Sequence, residues 1–312
     1  MIQRIKDYLV SLGPQNPAVR LALKFHGRRK GFVLGFPMRT ISIRRGAREM
    51  LLAEKDFYLV PFTLGCFDQT FEDIEAVPRG PLSILDFSGP GSHRYRRHGL
   101  TLSFPGAPED DSIAAYTRWY KPKPGDLVFD MGAHAGFTTI IFSRMVGQTG
   151  RIVAFEPDPT NLGYLERNLL AQNLSNVTIV RKAIDARTGS ACFNADGTMS
   201  AGLVGHSVYG HAGGQIEVET LSLQDACDQY GVLQFIKMDI EGAEVGVVES
   251  AADFLKAHPI NLAFDSYHRL RDGRFTWMLL EPALRSLGYG VKSEAEFGQM
   301  FTWAEPVTRT AS

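Results

Sequence analysis

Three clusters in this chain combine residue types and spacings that could do chemistry. The first is Leu127-Val128-Phe129-Asp130-Met131-Gly132-Ala133-His134-Ala135-Gly136-Phe137-Thr138, with Glu156 twenty positions beyond Gly136 at the end of Arg151-Ile152-Val153-Ala154-Phe155. An apolar strand, a glycine turn, a helix, a second apolar strand and a terminal carboxylate make a nucleotide pocket. Glycines let backbone N–H groups approach a ligand at a helix N-terminus, and the carboxylate can accept both hydroxyls of a ribose. The second cluster is Phe235-Ile236-Lys237-Met238-Asp239-Ile240-Glu241-Gly242-Ala243-Glu244. Asp239 falls at the carboxyl end of its strand, where it can bind an ammonium group or orient a nucleophile. Glu241 and Glu244 follow in the next turn and the first helical turn, where the helix dipole favours acids, and Glu244 reads best as a cap. In the third cluster, Leu262-Ala263-Phe264-Asp265-Ser266-Tyr267-His268, an apolar strand ends in polar residues. Asp265 and His268 should border the same pocket, with His268 the natural general base for a hydroxyl.

The glycine spacing selects among ligands. A dinucleotide fingerprint starting at Gly132 needs glycines at positions 134 and 137, where the chain has His134 and Phe137. A side chain at 134 obstructs the close approach of a pyrophosphate. An acid ahead of two glycines four apart, Asp130, Gly132 and Gly136, suits a ligand without phosphate that carries an ammonium, a carboxylate and a sulfonium. That ligand is S-adenosylmethionine. Asp239 then lies against its methyl-donor end. The readings from other classes are an NAD(P)-dependent oxidoreductase and a non-catalytic cofactor-binding docking protein.

The elements that position these clusters alternate. Strand 127–131, helix from Phe137, strand 151–155, helix 161–172 and strand 177–181 are followed by helix 222–229, strand 235–238, helix 243–255 and strand 260–264. Helix 275–287 and two segments, 289–292 and 299–303, supply a closing antiparallel pair. Repeated βα units predict a parallel sheet between helices, with ligands at the carboxyl ends of its strands. The interval 197–214 holds glycines at 197, 202, 205, 210, 213 and 214 with His206, Tyr209 and His211. It reads as too glycine-rich for a strand and long enough for a lid. Ahead of this, Asn16-Pro17 signals a helix start, with helix 18–26 after it. Strands 31–36 and 40–44, a helix over 47–55, extended segments 57–63 and 81–87 and a hairpin of 93–97 with 100–104 complete a mixed region. A helix over 112–120 precedes the first strand of the repeating part.

A chain of 312 residues holds a full α/β domain plus an appendage. No apolar run is long enough for a membrane span, and Arg4, Lys6 and Asp7 interrupt any signal-peptide core, so cytoplasm is the expected compartment. Cys66, Cys192 and Cys227 lack metal-ligand spacing and read as core filler in a reduced compartment. The net charge of −1 conceals a split: residues 1–48 hold eleven Lys or Arg and one acid, Asp7, a net +10 that leaves −11 for the rest. Such a split suggests a docking surface for an acidic partner, an anionic lipid surface or nucleic acid, or an arm that lies on the acidic remainder. Aromatic-interleaved basic patches are absent from the catalytic half, so no stable nucleic-acid partner is expected.

Together the run from Asp111-Ser112 to Trp119-Tyr120, the Pro124-Gly125-Asp126 lead-in, Phe129 to Gly136, Ala154-Phe155-Glu156-Pro157, Asn168, Ala183 and Lys237 to Glu244 resemble the FkbM family of S-adenosylmethionine-dependent methyltransferases. The resemblance covers about residues 110–270. It implies an α/β class: the class I methyltransferase (Rossmann-like) fold, a mostly parallel seven-stranded sheet with one antiparallel strand, carrying an N-terminal α+β appendage. The division is 1–108 for the appendage and 109–312 for the cofactor-binding domain. The implied activity is O-methylation of a hydroxyl on a sugar or natural-product small molecule. Asp130, Gly132 and Gly136 would lie at the methionine end, Glu156 at the ribose hydroxyls, Ala183 and Ile184 near the adenine and Asp239 near the sulfonium. Ala133, His134, Phe137 and Pro157 complete the expected cofactor set, and Asp239, His268 and Asp265 the catalytic one. The family often has asparagine where His134 stands and glutamate where Asp265 stands. Asp239 and Asp265 also match the strand ends from which catechol-type O-methyltransferases hold magnesium, which leaves a metal open.

Overall fold

The computed structural model describes residues 12–195, 197–198, 201–206, 214–231, 233–296 and 298–307. The chain divides into two compact units, Met1–Asp110 and Asp111–Ser312. In the first, helix α1 (Pro17–Arg29) begins where the Asn16 side chain accepts the Ala18 N–H at 2.9 Å. Strands β1 (Val33–Gly35), β2 (Thr40–Arg45) and β3 (Arg48–Ala53) follow, then a 3-10 turn (Glu54–Leu59), helix α2 (Val60–Asp73), and strands β4 (Val77–Arg79), β5 (Leu82–Phe87), β6 (Gly91–Tyr95) and β7 (Leu100–Phe104). The first five strands form a sheet in the order β1-β2-β3-β5-β4, and β6 with β7 forms the expected hairpin.

Two expectations for this unit are corrected. Of residues 47–55, expected as a helix, Arg48–Ala53 form a strand and Glu54 and Lys55 open a 3-10 turn, because Met50 and Leu52 alternate into the core and Gly46, at φ 60, lies in the tight turn that pairs Arg45 with Arg48. Residues 57–63 belong to a 3-10 turn and the start of α2, whose buried Val60, Leu64, Phe67 and Phe71 recur at helical spacing. Burial pushes the Cys66 thiol in α2 up to about 11 and that of Cys227 up to about 12; Cys227 is a core position and Cys66 is half-buried. Cys192 is exposed rather than core.

The second unit opens with a single turn, α3 (Ile113–Tyr116), in place of the longer helix expected over 112–120. Strand β8 (Leu127–Met131), helix α4 (Phe137–Val146), β9 (Arg151–Phe155), α5 (Pro159–Ala171), β10 (Val177–Val180), β11 (Ala183–Ile184), β12 (Gly189–Ala195), β13 (Gly202–Leu203), β14 (Gly214–Leu221), α6 (Leu223–Tyr230) and β15 (Phe235–Met238) come next. Helices α7 (Glu244–Ser250) and α8 (Ala252–Ala257) break at Ala251 where one helix was expected. Strand β16 (Asn261–Asp265), α9 (Thr276–Ser286), β17 (Tyr289–Glu296) and β18 (Gln299–Pro306) close the chain.

The main sheet has seven strands in the order β10-β9-β8-β15-β16-β18-β17, with β18 antiparallel to both of its neighbours. This is the sheet that the family resemblance implies. Strands β8, β9, β15 and β16 are buried nearly end to end, because helices cover both faces of a parallel sheet. A smaller sheet, β11-β14-β12-β13, flanks the interval read as a loop and enters it at two points: Gly202 and Leu203 pair with Asn194 and Phe193, and Gly214 opens β14. Tyr209 and His211 lie outside the described residues. No helix among the described residues is long and apolar enough to cross a membrane.

Candidate active site

Four strands deliver the three clusters to one edge of the sheet. β8 ends at Met131, β9 just before Glu156, β15 just before Asp239 and β16 at Asp265. Between Met131 and α4 the turn is knitted to its neighbour. Gly132 and Ala133 donate their N–H groups to the Phe155 carbonyl at 3.1 and 3.0 Å, and His134, at φ 47, donates to Glu156 Oε2 at 2.7 Å. The expectation that these amides face a ligand is therefore corrected, since they are spent on the end of β9. The glycines answer a different need. A Cβ on Gly132 would lie 1.8 Å from the Asp239 carbonyl oxygen, and one on Gly136 would lie 2.6 Å from Leu165 Cδ1. Only hydrogen at these positions lets β15 and α5 close against the turn. Asn168 seals it by donating its side-chain amide to the Ala135 carbonyl at 2.8 Å.

Asp130 lies behind this turn. Its Oδ2 accepts the hydroxyls of Thr138 and Thr139 at 2.7 and 2.5 Å, and its Oδ1 is 3.3 Å from Lys237 Nζ, which donates to the Gly132 carbonyl at 2.6 Å. Asp130 and Lys237 are register partners on adjacent strands, and both are buried. The carboxylate thus fixes the turn and the start of α4 instead of meeting a ligand directly. Removing the cation should be costly: Lys237→Met is expected to lose about 3–5 kcal/mol in urea unfolding, because it strands a buried charge. Adding Asp130→Asn should recover most of that loss. A single variant within about 1 kcal/mol of the parent would contradict the pairing.

The carboxylate of Glu156 is aimed by two backbone donors, His134 to Oε2 and Asp158 to Oε1 at 2.9 Å, so each oxygen keeps a lone pair. Burial pushes its pKa from the ordinary 4.5 up to about 7, against those donors and the neighbouring His134. Pro157 is half-buried beside it, whereas Ala133, Phe137, Ala183 and Ile184 are buried. The flanking loop reaches this corner. Gly197 donates its N–H to Asp158 Oδ2 at 3.1 Å, and Asn161 donates its side-chain amide to the Thr198 carbonyl at 3.3 Å.

Asp239, Glu241, Glu244 and His268 converge at the ends of β15 and β16. His268 Nδ1 is 3.1 Å from Glu244 Oε1, while Nε2 is 3.4 Å from Glu241 Oε1 and 3.5 Å from Asp239 Oδ1. Burial alone would lower the proton affinity of this ring, but Glu241 and Glu244 overcome it and hold the pKa well above the ordinary 6.5. Both ring nitrogens of this solvent-excluded imidazole face carboxylates, so neither is presented to a hydroxyl. The general-base expectation for His268 is corrected on that ground. Glu244 does cap its turn, as expected, accepting the N–H groups of Ile240 and Gly242 at 3.0 and 3.2 Å. Of the three acids, Asp239 has the most exposed side chain, at 29% against 12% for Glu241 and none for Glu244. Its Oδ2 accepts the Tyr116 hydroxyl at 3.2 Å. Asp265 is buried at the end of β16, outside the group of metal-ligating types formed, among the described residues, by Asp239, Glu241 and His268.

Sequence reading gave no role to Lys237, Thr138, Thr139 or Tyr116. A lysine inside an apolar strand and a threonine pair at a helix start were the available signals. Tyr116 carried none, because it lies more than a hundred residues from Asp239.

A profile of the methyltransferase FkbM domain matches residues 130–291, more than half of the chain. Protein-L-isoaspartate O-methyltransferase of Aeropyrum pernix is 32% identical over 72 residues, which are 23% of this chain and 26% of that protein. Among solved structures, the methyltransferase FkbM from Methylobacillus flagellatus KT is similar at 18% identity and a TM-score of 0.45, covering 60% of this chain and 45% of that one. A SAM dependent methyltransferase from Aquifex aeolicus is similar at 14% identity and a TM-score of 0.38, covering 64% and 94%. The chain spans about a quarter of the length of the Aeropyrum relative and less than half of the Methylobacillus chain.

Proposed function

The chain belongs to the FkbM methyltransferase family, and from that premise we propose that it transfers a methyl group from S-adenosylmethionine to a hydroxyl oxygen of a small molecule, a sugar or a natural product. The observation that carries the reading is the joint placement of Glu156 and Asp239 on either side of the Gly132 turn, whose Cα stands against the Asp239 carbonyl. The residues fit the cofactor. A buried carboxylate already directed by two N–H groups, with one lone pair left on each oxygen, matches the two O–H donors of a ribose. When bound, S-adenosylmethionine supplies an electrophilic methyl group on a sulfonium.

The protein's part is alignment and management of one proton. Glu156 holds the ribose, and the residue pair Ala183 and Ile184 flanks the adenine. Asp130, Lys237, Thr138 and Thr139 keep the turn at the methionine end rigid. Asp239, the most exposed acid of its cluster, orients the acceptor hydroxyl and takes the proton that the oxygen loses on methylation, and Asp265 closes the pocket wall beside it. Thermal shift with S-adenosylhomocysteine and with NAD(P)H tests the cofactor, since only the ligand that binds raises the unfolding temperature. Incubation with labelled S-adenosylmethionine and fractionated cell extract tests the reaction. Stabilisation by NAD(P)H alone would move the protein to the oxidoreductases, and tight cofactor binding without any labelled product would make it a docking protein.

Glu156 makes cofactor binding pH-dependent. Its folded pKa of about 7 stands above the ordinary 4.5, so the free fold favours the protonated acid, and this contribution to stability is full below 4.5 and lost as pH rises through 7. The ribose hydroxyls need the carboxylate. Affinity for S-adenosylhomocysteine should therefore rise by up to about tenfold per pH unit below 7 and level off above it. Calorimetry across this range should show that rise in the parent and a flat, weaker profile in Glu156→Gln. A flat parent profile would refute the role.

The basic arm is a docking surface for an acidic partner. Helix α1 has no acid in its first turn, ends in His26, Arg28 and Arg29, and exposes Leu21 and Phe25. Other cations of this region are paired within their own unit, Arg20 with Glu54 and Arg45 and Arg48 with Asp68. Raising salt should weaken KM for the natural acceptor while sparing cofactor affinity. An unchanged KM would remove this assignment.

A further inference from the structure

We propose that Asp239, Glu241 and His268 form a binding site for one divalent transition-metal ion of the Mn2+ and Zn2+ class. One ligand atom from each lies within 4.8 Å of the other two, and Nε2 of His268 stands 3.4 and 3.5 Å from the two carboxylate oxygens. Those separations are long for hydrogen bonds. They are the edges of a coordination polyhedron, since bonds of about 2.1 Å place neighbouring ligands about 3.0–3.4 Å apart.

The histidine supplies an independent observation. Its side chain is 1% exposed, neither ring nitrogen has a hydrogen-bond partner, and Nε2 is aimed between the two carboxylates. The other ring nitrogen faces Glu244 Oε1 at 3.1 Å, and that oxygen is itself fixed by the Ile240 and Gly242 N–H groups. A buried carboxylate behind the imidazole is the arrangement that orients a metal-bound histidine and makes it a better donor. An ion on Nε2 takes the place of the ring's second proton.

The fold gathers the set from adjacent strands. Asp239 and Glu241 follow β15, and His268 follows β16, its parallel neighbour. Glu241 is held at φ 57, and Gly202 of β13 lacks the side chain that would come within 2.7 Å of the Glu241 Cβ. One neutral imidazole and two carboxylates balance the charge of a divalent ion. The nitrogen donor favours Mn2+, Co2+ or Zn2+ over Mg2+ and Ca2+, which prefer oxygen throughout. The exposed side of Asp239 leaves the ion open to a further ligand.

The test uses the full chain after chelation and dialysis. Mn2+ titration followed by electron paramagnetic resonance should show one saturable ion per chain, and spin-echo modulation on the parent protein should show nitrogen-14 coupling from one imidazole. Mg2+ should compete poorly. His268→Ala should lose at least a hundredfold in Mn2+ affinity, and Glu244→Gln, which is no ligand, about 10–100-fold. Saturable binding with nitrogen coupling supports the site even if a variant fails to fold. No saturable Mn2+, no nitrogen coupling, or Mg2+ bound as tightly would each overturn it. Stabilisation of the metal-free chain by S-adenosylhomocysteine is read separately, so the cofactor assignment and the metal site stand or fall independently.

Discussion

Gly132→Ala is expected to abolish measurable binding of S-adenosylhomocysteine and to cost about 3 kcal/mol or more in unfolding free energy, by adding overpacking of about 1–3 kcal/mol to left-handed strain of about 1–2 kcal/mol. The new methyl would fall 1.8 Å from the Asp239 carbonyl oxygen and 2.9 Å from its carbon, at a residue with φ 79. Both sides of the clash are backbone, so no rotamer relieves it. The turn would have to leave β15, taking with it the N–H groups that order Phe155 and Glu156. Gly147 is the control. It has φ 63 and ψ −170, a conformation that essentially only glycine adopts, but nothing within 4 Å of a Cβ, so Gly147→Ala should cost only the strain, about 1–3 kcal/mol, and leave cofactor affinity unchanged. Urea unfolding and calorimetry on both variants measure the difference. Equal losses would mean that the close approach at Gly132 is not what the glycine is for.

Asp239→Ala is expected to reduce kcat by at least about 10³-fold, equivalent to about 4 kcal/mol of barrier, while S-adenosylhomocysteine affinity changes only a few-fold. The separation follows from the geometry. The strand end is held by the Asp239 backbone, whose N–H donates to the Met131 carbonyl at 3.0 Å, and the substitution leaves that bond in place. What disappears is the carboxylate, with its contacts to Tyr116 and His268 and its exposed face. Tyr116→Phe removes one donor to Oδ2 and keeps the carboxylate, so a loss of about 10–100-fold is expected, the scale of one hydrogen bond to a charged group. Single-turnover assays with the acceptor, alongside calorimetry, distinguish the two effects. An Asp239→Ala enzyme with parental kcat would end the assignment, and a parallel loss of cofactor affinity would make the residue a binding group only.

The parallel half of the fold was legible because its pattern is local and strong. Leu127 to Met131, Arg151 to Phe155 and Phe235 to Met238 are continuous apolar runs bounded by turns, and each became a strand within a residue or so of its expected limits. The first unit was harder to read. Val60, Leu64, Phe67 and Phe71 have helical spacing, but the aromatic and β-branched run around them resembles a strand, and Arg48 to Ala53 takes its conformation from pairing with β2 and β5. The glycines between 197 and 214 suggested a loop, and β12 and β14 flank that interval, within which only Gly202 and Leu203 pair as a short strand with β12 among the described residues.

By itself the sequence determined the kind of pocket: which strand ends carry polar residues, that Gly132 and Gly136 frame a turn unsuited to pyrophosphate, and that Glu156 and Asp239 follow the ends of two strands of one sheet. Those are properties of residue order along single βα units. The use of each group was decided only by tertiary structure. The turn amides face β9, Asp130 faces Lys237, and His268 is enclosed by Asp239, Glu241 and Glu244. The reason is that a side chain's charge state and direction depend on neighbours supplied by adjacent strands, and strand adjacency is settled by packing across the whole sheet.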